Sequence, residues 1–156
     1  MITRLLRAWI VTAIADGLFS SVLSAFFYGS TAAALWQGVA RTAFGRDAIS
    51  SANAQVITGI AVHVCVALVW SVVFLIAYEN FAALRRITSS TSGVLTVAAV
   101  YGPLIWVVMS MIVIRAATGR PPAITYRWWV QFFGHALFVG LPIVAGIRGR
   151  SATERE

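Results

Sequence analysis

An all-α integral membrane protein, a four-helix bundle with a short amphipathic helix at one interface, is the fold class this sequence predicts. Three observations lead there. Four apolar stretches occupy residues 8–28, 57–78, 94–114 and 128–147. At the helical rise each reaches roughly 30 Å, about the thickness of a bilayer hydrocarbon core. Apolar residues make up 60% of the 156-residue chain and the mean hydropathy is +0.85, against ~45–50% apolar residues in soluble domains. The remaining length allows one compact bundle, a single domain over residues 1–156, with both termini on one side of the membrane.

The first stretch carries its polar residues in order. Thr12, Asp16, Ser20 and Ser24 recur every four residues and stack on one helix face. Beside them runs a ridge of small residues, Ala13, Gly17, Ser21, Ala25 and Gly29. Such rows let helices approach closely in lipid, so the ridge predicts internal packing, a dimer face or a partner's docking site. Arg4 and Arg7 ahead of an apolar run also fit the start of a cleaved signal peptide. The run is longer than a signal peptide's apolar region and no clean small-x-small site follows, so it is read as a helix.

The connection that follows is too long for a hairpin. Ser30 or Thr31 can cap a helix. Trp36, Val39, Ala40, Ala43 and Phe44 then form an apolar stripe, with Gln37, Arg41 and Thr42 off it. The spacing predicts an amphipathic helix over 31–44, lying in the outer interface or across the bundle mouth. The second stretch holds the single cysteine, Cys65, read as a small buried hydrophobe. Arg85-Arg86 and a Ser/Thr cluster make a solvated inner loop, where Glu79 faces water or pairs with those arginines. Gly102-Pro103 predicts a kink in the third helix. Trp128 and Trp129 follow Tyr126 and Arg127 as an aromatic and cationic collar, and with Trp36 and Phe44 complete the interfacial anchors. The polar tail 148–156 reads as frayed.

Charge sets orientation rather than ligand. All twelve basic residues are arginine, giving a net charge of +7. They lie at segment ends and form no contiguous polyanion face, which argues against nucleic acid and for lipid headgroups as partner. Arg4, Arg7, Arg85, Arg86, Arg148, Arg150 and Arg155 share one side; Arg41, Arg46, Arg115, Arg120 and Arg127 share the other. The excess places both termini in the cytoplasm.

Ionisable groups within the apolar stretches are the candidate functional residues, because charge is costly in lipid. They are Asp16, His63 and His135. By helical rise His63 and His135 lie about 9 and 10 Å below the outer boundary. Asp16 falls about 8 Å short of that layer. Three readings of the histidines follow: hydrogen bonds to neighbouring helices, a wet cavity passing protons or a polar solute, or axial ligation of a haem b. In the haem reading Gly59 and Gly134 would let the flat cofactor approach. Asp16, Ser20 and Ser24 likewise read as a hydrogen-bonded core or as a proton or cation path.

No phosphate loop, His-Glu-x-x-His, Gly-x-Ser-x-Gly or Cys-x-x-Cys is present, and no catalytic residue or metal-ligand set is assigned. The expected activity is therefore non-enzymatic: a structural, accessory, small-solute or proton role. Transport would call for a homo-oligomer, since four helices enclose little volume. The alternatives are a bis-histidine electron-transfer protein and a scaffold binding a membrane partner through the first helix.

Several segments resemble a family of small, uncharacterised four-helix bacterial membrane proteins. They are Leu35-Trp36-Gln37-Gly38-Val39-Ala40 with Phe44-Gly45, Gly59-x-x-x-His63 with Ala67, Tyr101-Gly102 with Trp106-Val107-Val108-Met109, and His135 through Ile143. The resemblance implies a bacterial inner-membrane location and the same helix order, and implies no activity. It highlights Trp36, Gln37, His63 and His135, and leaves out Asp16.

Overall fold

The structure, a computed structural model, describes residues 1–149. The expectations for Arg150, Arg155 and the rest of the tail lie outside the described residues. Those described contain helices and no strand. Four helices are long and apolar enough to cross a membrane: α1 (Ile2–Phe27), α3 (Ala52–Asn80), α5 (Thr91–Thr118) and α6 (Tyr126–Arg148). Two shorter ones, α2 (Ala32–Phe44) and α4 (Ala82–Ile87), complete the chain.

Each long helix extends past its apolar stretch, because polar residues at a helix end still complete backbone hydrogen bonds. Polar Thr3 and Arg4 lie in the first turn of α1, and Asn53 and Gln55 in that of α3. The caps follow their chemistry: the hydroxyls of Thr31, Ser51 and Ser90 accept from the backbone N–H of Ala34, Ala54 and Gly93. Gly45 and Gly119 end α2 and α5 with φ of +94° and +68°, a region glycine enters without penalty. The α5 helix continues through the buried Pro103. Three of the long helices contain a π-helical turn, at Leu23–Phe27, Met109–Val113 and Ala136–Gly140.

Close backbone approach holds the long helices together. A Cβ on Gly146 would lie 2.7 Å from Ala8 Cα, so α1 and α6 cross there in near contact. One on Gly102 would overlap the carbonyl of His135, and one on Gly140 that of Ala98, which fixes the crossing of α5 with α6. The α3 helix reaches α5 through Tyr101, whose hydroxyl donates to the Trp70 carbonyl at 2.7 Å and whose ring meets Phe74. Tyr101→Phe is expected to cost about 1 kcal/mol, read as a lower melting temperature in detergent.

The apolar core, Phe74, Val94, Ala98, Ile143, Val144 and Ile147 among others, gathers in the half of the bundle nearer the N-terminus. Outside it the molecule is apolar too. Ile14, Leu18, Ile57, Val69, Val100 and Leu137 are all more than half exposed. Cys65 also lies on this outer surface, so its expected burial is corrected. At mid-helix the interior changes character and becomes polar and aromatic.

Candidate functional site

The α1 stripe supplies the first half of the site. Thr12 and Ser24 are buried, and Asp16 and Ser20 partly so. Ser24 is bound locally: its hydroxyl donates to the Thr31 carbonyl at 3.0 Å and ties the end of α1 to the start of α2. Asp16 turns to α3. Its Oδ2 lies 3.8 Å from His63 Nδ1, with both side chains more than four-fifths buried.

This contact removes the 8 Å gap expected between Asp16 and the histidine layer. The helices extend beyond the apolar stretches, so the ends of those stretches are not level with one another. Measured from the midpoints of the observed helices, Asp16, His63 and His135 lie about 2, 5 and 3 Å away, all toward the α2 side. They occupy one layer near the centre of the bundle.

Chemistry fixes the tautomer of His63. Its Nε2 lies 3.0 Å from the Ala13 carbonyl oxygen, which can only accept, so Nε2 carries a hydrogen and donates. In the neutral ring Nδ1 is then a lone pair facing the Asp16 carboxyl. A carboxylate against a lone pair is repulsive, so the contact is favourable only with a proton on one of the two groups. At 3.8 Å the two groups stand at ion-pair distance, beyond the reach of a direct hydrogen bond.

Two oxygens of the α1 stripe are left without a partner. Asp16 Oδ1 and Thr12 Oγ1 are buried with no hydrogen-bond partner in the protein. Unpaired buried polar atoms are costly and mark sites with a reason to keep them.

Trp36 closes the opposite side. It was expected as an interfacial anchor, yet its ring sits over His63 with centroids 5.2 Å apart. Gly59 makes this possible, since a Cβ there would overlap the Trp36 carbonyl. Gly17 provides the matching notch: a Cβ would stand 3.4 Å from His63 Nε2 and 3.7 Å from the Trp36 ring. Arg41 Nε donates to Gln55 Oε1 at 3.0 Å and pins α2 along α3. Helix α2 thus covers the bundle mouth. Phe44 is exposed, at 58%.

His135 sits in a second cluster, on α6. It is buried, its Nδ1 donates to the Gln131 carbonyl at 2.8 Å, and its ring lies 4.9 Å from that of Trp106. Gln131 Oε1 and Trp106 Nε1 are buried there without partners. Trp128 is also buried, donating from Nε1 to Ser110 Oγ at 3.2 Å, while Trp129 is half exposed. Phe19 stands beside this cluster, stacked on Phe138 at 4.3 Å.

The flat space that a haem would need is filled. Trp36 backbone occupies the face of Gly59 and the Phe19 ring that of Gly134. His63 directs its nitrogens at Ala13 and Asp16 rather than toward His135. These residues do not fit a macrocycle between them. Among the described residues no three His, Cys, Asp or Glu side chains group as metal ligands.

The small-residue ridge divides. Gly17 faces His63 inside the bundle and Ser21 is half-buried, whereas Ala25 is exposed and Gly29 lies beyond α1 with φ +61° and open space around it. A local signal did exist for Trp36: the tryptophan belongs to an amphipathic helix, and the glycine that receives it stands one turn before His63. Comparison of the chain with protein-family models, with curated proteins and with solved structures returns no match.

Proposed function

We propose that this chain is a multi-pass membrane protein in which Asp16 and His63 exchange a proton at mid-membrane, beneath the cover of α2. The role is proton or small-cation handling rather than catalysis of a covalent reaction. The observation that carries this reading is the 3.8 Å Asp16–His63 contact at the centre of four apolar helices. An ionisable pair is expensive in lipid and is a functional site by default. Insertion is supported by the apolar exterior of the long helices. The arginine excess favours both termini in the cytoplasm of a bacterial inner membrane.

Thr12 on one side of the pair and Ser20 on the other continue the polar stripe along α1, which gives the proton neighbours in both directions. The experiment is collapse of an imposed pH gradient in vesicles reconstituted with the full chain, followed with an enclosed pH dye. Collapse faster than in protein-free vesicles of the same lipid is expected. Equal rates at verified protein incorporation contradict the reading.

A further inference from the structure

A second site lies at the end of the bundle away from α2, between α1 and α6 where the two helices cross at Ala8 and Gly146. A cleft of about 320 Å³ opens there. Its floor is apolar, made by Val11, Pro142 and Ala145, and its rim carries Arg7 and Arg148. Arg4 stands at the same rim, its Nε 3.5 Å from where a Cβ on Gly149 would sit.

The two rim guanidiniums are held in place. Arg7 donates to the carbonyls of Ala145 and Gly146 at 3.4 and 2.8 Å, and Arg148 to the Ser89 carbonyl at 3.3 Å. Each arginine has five N–H donors, so donors remain after these bonds. The C-terminus of α6 is that helix's negative pole. Arg7 offsets it by binding its last carbonyls, and Arg4 and Arg148 leave the rim net positive. Among the described residues the only ion pair is Asp16–His63, so none of their carboxylates neutralises these arginines.

Basic rim and apolar floor together select one kind of occupant. We infer that this cleft binds an anionic phospholipid, its phosphodiester on Arg7 and Arg148 and an acyl chain against Val11 and Pro142. The guanidinium fork matches phosphate oxygens in pairs, and basic pockets between helices at a membrane face suit such headgroups. A free phosphate would satisfy the rim and leave the floor without a partner. The inference rests on the membrane reading but not on proton exchange by Asp16 and His63.

The test uses the full chain in mild detergent. Retention of phosphatidylglycerol and of phosphatidylcholine is measured by native mass spectrometry, for wild type, Arg7→Gln/Arg148→Gln, Ala145→Glu and Arg120→Gln. Wild type and Arg120→Gln are expected to prefer phosphatidylglycerol by about 30-fold, the worth of two arginines near an anionic headgroup. Arg7→Gln/Arg148→Gln and Ala145→Glu should lose that preference. Should the double variant not fold, Ala145→Glu decides alone, because its exposed position tolerates the change.

Equal retention of both lipids by wild type overturns the proposal, and so does a preference that survives Ala145→Glu. Displacement of the lipid by millimolar inorganic phosphate would overturn it in favour of a plain anion site. Two controls separate its failure from that of the reading above. Release of the chain from membranes by alkaline wash would refute insertion itself, and gradient collapse in Arg7→Gln/Arg148→Gln vesicles reports proton exchange independently of the lipid.

Discussion

Gly102→Ala is expected to destabilise the protein by about 3 kcal/mol, the upper end of ordinary overpacking. In an isolated helix the same change stabilises by about 1 kcal/mol. The sign reverses because an added Cβ would overlap the His135 carbonyl across the α5–α6 crossing. Backbone cannot swing aside as a side chain can, so the two helices would have to part. Their separation would also shift His135 and the adjoining π-helical turn at Ala136–Gly140.

Gly38 provides the control. It lies inside α2, where an added Cβ meets nothing within 4 Å. Gly38→Ala should therefore show the propensity gain undiminished. Thermal unfolding of both variants in one detergent gives opposite signs if the crossing is as described. Equal, favourable shifts would mean that α5 and α6 do not meet at Gly102.

Asp16→Asn is expected to slow proton flux on the order of a hundredfold, the scale of losing a positioned acid–base group. The fold should survive it. Asparagine keeps the shape of the side chain, and the amide can donate to the His63 Nδ1 lone pair without a titrating proton. Asp47→Asn, at an exposed position outside the long helices, should leave flux unchanged. A structural role for Asp16 predicts the reverse pattern: a lower melting temperature and, in protein that remains folded, undiminished flux.

Much of the architecture was legible in the residues, for a physical reason. In lipid the backbone must satisfy its own hydrogen bonds, so a long apolar stretch has few alternatives to a helix. Four helices long and apolar enough to cross a membrane fit that constraint, and a single capping hydroxyl, on Thr31, marks the start of α2. Helix ends were less legible. Residues such as Arg4 and Gln55 do not look apolar, yet they continue the hydrogen-bonded ladder.

Helix ends set at the apolar boundaries separate Asp16 from the histidines. The site was thus visible as three ionisable residues but not as a contact between two of them. Trp36 was hidden differently. An aromatic residue on an amphipathic helix reads as an interfacial anchor, and only the backbone-deep notch at Gly59 shows that it packs inward over His63. Trp128 is likewise buried, and the partner of its Nε1, Ser110, is eighteen residues away in sequence. The π-helical turns leave no recognisable pattern of residue types.

The contact between Asp16 and His63 is the centre of the account, and solid-state NMR of the protein in bilayers measures it directly. The chain contains two aspartates, Asp16 and Asp47, and two histidines, so labelling carboxyl carbons and imidazole nitrogens gives a spectrum with few signals. A carboxyl-to-imidazole correlation is expected between Asp16 and His63 Nδ1, lost in Asp16→Asn and in His63→Phe and kept in Asp47→Asn. Its absence in the wild-type protein, with both residues detected and assigned, would contradict the proton-exchanging pair.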